Sequence, residues 1–166
     1  LVSKESMIVK SHKGEYSVTF CENGAEHLVN NLPDQNYHII IDKRVAELYS
    51  NELQLILDHT SVLQIDALES NKSLEVISNY VMHLVSRQVR RDDILIAIGG
   101  GIIQDITCFL ATTMMRGLPW VFYPTTLLAQ ADSCIGSKSS INSGEIKNIL
   151  GTFTPPDQII VDVDFL

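Results

Sequence analysis

The sequence predicts an α/β fold, a Rossmann-like and mostly parallel sheet with flanking helices. Strand-like apolar runs alternate with helix-like segments along most of the chain, which is typical of parallel α/β sheets. The run ILIAI after Asp93 is apolar at every position, as expected for a strand that is covered on both faces. Three consecutive glycines, Gly99 to Gly101, follow this run directly and open the next helix.

In the first half of the chain, the period of the apolar residues separates strands from helices. GEYSVTFCENG alternates like a strand, and AEHLVNNL has the pattern of a short helix. Residues 37–41 are a predicted buried strand that ends at Asp42 and enters a helix, and SVLQIDAL is a further strand-like run. The next predicted helix has Ser73 as its N-cap and Glu75 in its first turn. Its apolar residues at helical spacing are Leu74, Ile77, Val81, Leu84 and Val85.

The second half begins with the strand ILIAI and the helix that follows the glycines. We expect this helix to end near Arg116, with Gly117 in the left-handed cap conformation and Pro119 preventing continuation. WVFYP and QIIVDVDFL are predicted strands, whereas the polar segment GSKSS does not fit a core helix. The residues predicted to point inward from the helix are Ile102, Ile106, Phe109 or Leu110, and Thr113.

Length and composition limit the classes of function. A chain of 166 residues is one domain or half of a larger protein, and its end directly after an apolar segment indicates a cut between domains. A net charge of -8 argues against general binding to nucleic acid or acidic membranes. No apolar run approaches the ~20 residues of a membrane span, and the N-terminal LVSKESMIVK lacks the apolar core of a signal peptide.

The cysteines and histidines predict a cytoplasmic protein without a metal site of its own. Three widely separated cysteines fit a reducing compartment better than a set of disulfides. All five histidines lie in the first half of the chain and share no ligand spacing, so a zinc site built from this chain alone is not expected.

The glycine turn is the first part of the candidate site. Glycines at the end of a strand let backbone N–H groups approach phosphate oxygens, and the start of a helix favours negative charge. The spacing is not GxGxxG, however, and a tight turn explains the three glycines equally well. Asp105 suits the first turns of the helix through the dipole alone, or as an acceptor of cofactor hydroxyls. Asp42 could accept ribose hydroxyls, although the pattern by itself favours a solvated turn residue.

A second group of polar side chains follows the predicted strand WVFYP. Thr125 and Thr126 fall at the carboxyl edge of the sheet, where open α/β sheets bind ligands. Arg116 fits either a cation at a helix end or a bidentate phosphate clamp. The segment beyond is richer in hydrogen-bonding groups than packing requires, and the alternative is a solvated loop with incidental lysines. Its polar residues are Asp132, Lys138, Asn142, Lys147 and Asn148. Two adjacent anion sites suggest an enzyme that pairs a dinucleotide with a phosphorylated or carboxylated substrate.

Six pieces of the chain, in this order, resemble the 3-dehydroquinate synthases and related sugar-phosphate cyclases: GGGIIQD, MMRG, PTTLLAQADSCIGSK, IN, KN and PPDQIIVDVDFL. The resemblance covers essentially the whole chain and is densest from Asp93 to Leu166. It implies that residues 1–166 are an N-terminal NAD-binding domain and that a helical C-terminal domain is absent from this chain. In the family, that second domain binds a catalytic divalent metal, zinc or cobalt, through one glutamate and two histidines.

The resemblance also implies roles for individual residues. The positions that hold the adenosine ribose match Asp42, Glu69 and Lys72. The nucleotide-binding turn matches Gly100, Gly101, Ile102, Ile103 and Asp105, and further cofactor positions match Thr125, Thr126, Lys138, Lys147 and Phe165. The groups that contact the substrate match Asp132, Lys138 and Asn148. Arg116 matches an arginine that reaches the substrate phosphate from the other subunit of a homodimer.

The implied reaction forms 3-dehydroquinate from 3-deoxy-arabino-heptulosonate 7-phosphate, in the shikimate pathway of aromatic amino acid biosynthesis. In the family, NAD oxidises a hydroxyl of this seven-carbon sugar acid, phosphate is eliminated, the hydride returns, and an intramolecular aldol step closes a carbocycle. The isolated chain is expected to be inactive, because no histidine follows His83 to complete the metal site.

Some positions beside the expected substrate depart from the family pattern. Ser137 and Ile146 replace common glycines, and Ser139-Ser140 stands where Thr-Gly or Thr-Ala is common. These departures leave open a cyclase similar to 2-epi-5-epi-valiolone synthase or 2-deoxy-scyllo-inosose synthase, acting on sedoheptulose 7-phosphate or glucose 6-phosphate. A metal-dependent alcohol dehydrogenase of the glycerol dehydrogenase type, and a non-catalytic dinucleotide-binding module, are the remaining alternatives.

Overall fold

The computed structural model of the protein describes residues 5–166, so the first four residues of the segment LVSKESMIVK lie outside it. Its strands, in chain order, are β1 (Glu5–Ser11), β2 (Gly14–Phe20), β3 (Tyr37–Asp42), β4 (Val62–Ile65), β5 (Ile94–Gly99), β6 (Trp120–Pro124), β7 (Lys138–Ser143), β8 (Ile146–Phe153) and β9 (Gln158–Val161). Seven of them form one sheet in the order β1-β2-β9-β6-β5-β3-β4, and β7 and β8 form an antiparallel hairpin. The large sheet is parallel apart from the β1–β2 pair, which confirms the predicted α/β fold.

Helices cover both faces of the large sheet. They are α1 (Gly24–Asn30), α2 (Lys43–Leu48), α3 (Gln54–Leu57), α4 (Leu74–Ser86) and α5 (Gly101–Thr113). One apolar core lies under α4, α5 and the hairpin, and a second lies under α1, α2 and α3. Within residues 5–166, no helix has both the length and the apolar composition that a membrane span requires.

The central strands are buried on both faces because their side chains alternate between the two cores. In β5, Leu95 and Ala97 belong to the core under α4 and α5, whereas Ile96 and Ile98 belong to the other core. Trp120 of β6 is 2% exposed, and its indole N–H donates to the carbonyl of Pro155 at 3.1 Å. Such a doubly covered sheet is a rigid base for groups at its edges.

A buried polar chain joins the starts of β3, β4 and β5, at the edge opposite the glycine turn. His38 lies between Ser61, 2.5 Å from its Nδ1, and Asp93, 2.9 Å from its Nε2. The Asp93 carboxylate also accepts from the backbone N–H of Arg90 at 2.7 Å. These bonds hold the amino ends of three parallel strands together. The strands stay paired in one register up to their carboxyl ends.

The packing of helix α5 agrees with the prediction in part. The predicted Ile106 and Leu110 are fully buried, as is Ile103, which was not predicted, whereas Ile102 is only half-buried and Thr113 is exposed. The Thr113 hydroxyl donates to the carbonyl of Phe109 at 2.7 Å, so its polar group is satisfied on the helix surface.

The end of α5 and one face of α4 also differ from the prediction. Met115 and Arg116 have positive φ values of 52° and 69°, while Gly117, with φ 125° and ψ 126°, lies outside the left-handed cap region. In α4, Leu74 and Val85 are exposed, because the helix turns Ile77, Tyr80 and Leu84 towards the core instead.

Helix α3, strand β1 and the hairpin β7–β8 have no counterpart in the sequence prediction. β1 is an edge strand whose residues are mostly exposed, so it carries no apolar alternation that would mark it. The hairpin β7–β8 is built from the polar segment around Lys138, and β8 is exposed along most of its length. The interpretation of this segment as a solvated loop is therefore wrong.

Candidate functional site

The glycine turn lies where the carboxyl ends of three neighbouring strands meet. Gly99, the last residue of β5, pairs with Pro124 at the end of β6, and Ile98 pairs with Ile41, the residue before Asp42. Gly100 is the N-cap of α5 and has no side chain to bond the first amides of the helix. The turn therefore presents backbone N–H groups and the positive end of a helix dipole at the sheet edge.

Close packing explains why two of the three positions are glycine. A Cβ on Gly99 would lie 2.5 Å from Cγ1 of Ile103, and one on Gly100 would lie 2.8 Å from Cγ2 of Thr126. A Cβ on Gly101 would meet no atom within 4 Å, so the space above this residue is open. The tight-turn explanation thus accounts for Gly99 and Gly100 and leaves Gly101 free for another role.

Thr125 provides a further observation on the same turn. Its backbone N–H donates to the carbonyl of Gly99 at 3.0 Å, which ties β6 to the turn. Its hydroxyl is buried and has no hydrogen-bond partner among residues 5–166. Thr126 beside it is exposed. An uncapped helix start, open space over Gly101 and an unpartnered hydroxyl fit the extended diphosphate of a dinucleotide.

Lys72 is the centre of a charged cluster next to the turn. It is 6% exposed, and its Nζ lies 2.9 Å from Oδ2 of Asp105, 3.0 Å from Oδ1 of Asn148 and 3.6 Å from Oε1 of Glu69. Burial raises the pKa of the Asp105 carboxyl, although the bond and charge of Lys72 oppose this effect. The pKa of Glu69 is lowered, first by the hydrogen bond from Asn142 and further by the positive charge of Lys72.

The hairpin brings its own polar side chains into this cluster. The Asn142 amide donates to Oε1 of Glu69 at 2.9 Å, and its oxygen accepts from the backbone N–H of Asn148 at 2.8 Å. The Ser140 hydroxyl donates to Oδ1 of Asn148 at 2.9 Å, and its backbone N–H donates to Oδ1 of Asp105 at 3.1 Å. By sequence, Asn142 is only one of several polar residues in its segment, and no role was expected for Ser140. The signal that could have found them is their alternate spacing on a strand.

The turn, the cluster and the hairpin share one cavity of about 610 Å³. Its lining includes Gly101 from the turn, Lys72 and Asp105 from the cluster, and Lys138, Ser140 and Asn148 from the hairpin. Lys138 is exposed and makes no salt bridge within 4.0 Å in the described part of the chain, so its charge is available at the cavity wall.

Other predicted site residues lie around this cavity or apart from it. Asp42 caps α2 by accepting from the backbone N–H of Arg44 at 2.9 Å, as the turn-residue interpretation expects, while still lying at the carboxyl edge. Asp132, in a single π-helical turn (Ala129–Ser133), and Lys147 on β8 are both exposed. Ile102 lies half-buried in the first turn of α5, and the side chain of Ile103 is in the core.

Arg116 is a predicted site residue that the fold keeps away from the glycine turn, and Phe165 packs in the core after β9. Arg116 follows the far end of α5, which at 13 residues is about 20 Å long, and it is exposed. Phe165 is 3% exposed and packs edge-on against Tyr49, with ring centres 5.1 Å apart. A Cβ on Gly24 would lie 2.6 Å from its ring, so Phe165 also limits that position. Across residues 5–166, no three His, Cys, Asp or Glu side chains converge as a metal site.

Comparison with known proteins decides the family. Residues 62–166 match the family described as 3-dehydroquinate synthase N-terminal, which is more than half of the 166-residue chain. The chain belongs to the 3-dehydroquinate synthase family. Within it, the chain is 42% identical over 136 residues to the 3-dehydroquinate synthase of Enterococcus faecalis, covering 80% of this chain and 38% of that protein. The chain therefore spans well under half the length of this relative.

Solved structures of sugar-phosphate cyclases share the fold. The 2-epi-5-epi-valiolone synthase of Streptomyces hygroscopicus, with NAD+ and Zn2+ bound, is 31% identical, with a TM-score of 0.77 over 90% of this chain and 43% of that one. A 2-deoxy-scyllo-inosose synthase in complex with carbaglucose-6-phosphate, NAD+ and Co2+ has a TM-score of 0.82 at 22% identity, covering 98% of this chain and 47% of that one. At that identity the second likeness shows the fold alone.

Proposed function

We propose that residues 1–166 are the NAD-binding domain of a 3-dehydroquinate synthase, with the ligands of the divalent metal, zinc or cobalt, outside this chain. The observation that carries the proposal is the shared cavity. The glycine turn, which suits a diphosphate, opens into the same space as Lys72, Lys138 and Asn148, which suit a second anion. Membership of the 3-dehydroquinate synthase family supports the same assignment.

On this proposal, the protein's own residues hold two ligands side by side. The backbone N–H groups at the start of α5 bind the diphosphate, and Asp42 and Glu69 accept ribose hydroxyls. The unpartnered hydroxyl of Thr125 bonds the cofactor beside the turn. Bound NAD would supply reversible hydride-transfer chemistry at this site. Lys72 keeps the Asp105 carboxylate paired next to the cofactor.

The second ligand is a phosphorylated sugar acid, held by Lys138, Asn148 and Asp132. Ammonium and amide N–H groups match the oxygen atoms of phosphate and carboxylate, and a carboxylate matches hydroxyls. Because Arg116 lies at the far end of α5 from the glycine turn, we infer that it reaches such a ligand in the cavity of another copy. This placement supports a homodimer in which each subunit supplies Arg116 to its partner.

Among the cyclases, we propose 3-deoxy-arabino-heptulosonate 7-phosphate as the substrate. The 42% identity to a 3-dehydroquinate synthase, against 31% to a 2-epi-5-epi-valiolone synthase, favours this choice. Cys108 and Cys134 are buried thiols outside any disulfide, which fits action in a reducing cytoplasm.

Two measurements test the proposal. Calorimetry should detect NAD binding to the protein, and the complete natural protein carrying this chain should release phosphate from 3-deoxy-arabino-heptulosonate 7-phosphate. We expect no net NADH, which separates a cyclase from a glycerol dehydrogenase-type enzyme, and no activity from residues 1–166 alone. Absence of NAD binding would refute the domain assignment. Turnover of sedoheptulose 7-phosphate or glucose 6-phosphate instead would refute the substrate and favour the related cyclases.

A further inference from the structure

We propose that Ser140 is a positioning residue that turns the Asn148 carboxamide so that its NH2 group faces the shared cavity. Asn148 then donates hydrogen bonds to oxygen atoms of an anionic ligand, such as a phosphate. The inference rests on the proposed function for the identity of the ligand, but the orientation of the amide follows from the contacts alone.

The orientation is set by the chemistry of the partners. An ammonium group only donates hydrogen bonds, so the Asn148 atom 3.0 Å from Nζ of Lys72 must be the carbonyl oxygen. The Ser140 hydroxyl donates to the same oxygen at 2.9 Å. With both lone pairs of Oδ1 engaged, the NH2 group points away from Lys72, and it has no acceptor among residues 5–166. Asn148 itself lines the cavity.

The backbone of Asn148 is held from the same strand. Asn148 has φ 55°, a left-handed conformation that asparagine adopts more readily than most residues. Its N–H donates to Oδ1 of Asn142 at 2.8 Å, and the Asn142 amide is anchored on Glu69 at 2.9 Å. Ser140 and Asn142 are alternate residues of β7, so one strand fixes both the main chain and the side chain of Asn148.

The hydroxyl at position 140 supplies a second hydrogen bond to the Asn148 oxygen, beside that of Lys72. A glycine or alanine at this position would have no hydroxyl to donate. In this chain the amide has two restraints on its oxygen instead of one. Because the hydroxyl acts only through Asn148, its loss should affect ligand binding while leaving the main-chain bond from Ser140 to Asp105 intact.

The test compares Ser140→Ala and Ser140→Thr in the complete natural protein. Losing one hydrogen bond that orients a binding group should raise KM for the phosphorylated substrate about fivefold, with kcat within about twofold. NAD affinity should be unchanged, and Ser140→Thr, which keeps a hydroxyl, should restore KM. Ser143→Ala is the matched control, because Ser143 lies on the same strand and its hydroxyl makes no bond to Asn148.

A second readout does not depend on turnover. In nitrogen-15 NMR spectra, the side-chain NH2 signals of Asn148, assigned by their loss in Asn148→Asp, should shift on titration with inorganic phosphate. The shift should be clearly weaker in Ser140→Ala than in Ser143→Ala. Equal KM values and equal shifts in the two variants would overturn the inference even where the wild type binds NAD and turns over. Failure of the wild type to bind NAD would instead refute the proposed function, and the phosphate titration would still decide the role of Ser140.

Discussion

Replacing Gly101 by alanine should make the protein more stable and weaken its binding of NAD. A Cβ at this position meets no atom within 4 Å, and the residue is the first of helix α5 with a φ that alanine accepts. Alanine loses less chain entropy than glycine on folding, so the free energy of unfolding should rise by about 0.4–1 kcal/mol. For a chain of this size that corresponds to an increase in Tm of about 1–4 °C.

The same methyl group should weaken NAD binding. A phosphate oxygen that accepts a hydrogen bond from a backbone N–H lies about 2.9 Å from the nitrogen. At that distance it would clash with a methyl group on the adjacent Cα. We expect the NAD dissociation constant to rise at least tenfold, about 1.4 kcal/mol. Calorimetry gives this constant, and thermal unfolding followed by fluorescence of Trp120, the single tryptophan, gives the stability.

Two other glycines serve as controls for this prediction. Gly99→Ala places Cβ 2.5 Å from Ile103, so it should destabilise the fold by about 1–3 kcal/mol through overpacking. Gly136→Ala meets only a backbone oxygen at 3.7 Å and should change neither stability nor NAD affinity by much. If Gly101→Ala bound NAD as tightly as the wild type, the turn would not hold the diphosphate. If it lost stability, the space above it would not be open.

The buried charges and thiols give three further tests. Lys72→Met leaves the partly buried Asp105 carboxylate without its cation, so the free energy of unfolding measured in urea should fall by about 3 kcal/mol. Adding Asp105→Asn should recover part of this loss, whereas additive losses in the double variant would contradict direct pairing. The pKa of Glu69 is lowered from its ordinary value of 4.5, so the ionised carboxylate contributes stability above that pH. This contribution is lost as the pH falls through the lowered pKa. The stability advantage of the wild type over Glu69→Gln should therefore shrink between about pH 5 and 3, and a constant difference would show that the charge is not involved. Burial raises the pKa of the Cys108 and Cys134 thiols, so Ellman's reagent should modify them only after unfolding, and rapid labelling of the native protein would contradict their burial.

Short-range patterns were enough to predict most of the sheet. β3, β5 and β6 are apolar runs with clear ends, and the strands predicted from them agree with the structure to within a residue or two. β1 was missed because an exposed edge strand has no apolar contrast. The prediction of the buried face of α5 was wrong at Ile102 and Thr113. The helix packs against both β5 and the hairpin, and the period of the apolar residues does not show where a second neighbour lies.

The sequence by itself determined most strands and helices of the large sheet, the glycine turn at the end of β5 and the residue types that a cofactor and an anion require. Only the tertiary structure decided which of these residues meet. Lys72 contacts Asp105, which is 33 residues away, and Asn148, which is 76 residues away, while Arg116 lies at the other end of α5 from the turn. The physical reason is range. Hydrophobic period and turn chemistry act over a few neighbouring residues, whereas contacts across the cavity depend on how the hairpin packs on α5 and on which hydrogen bonds orient each side chain.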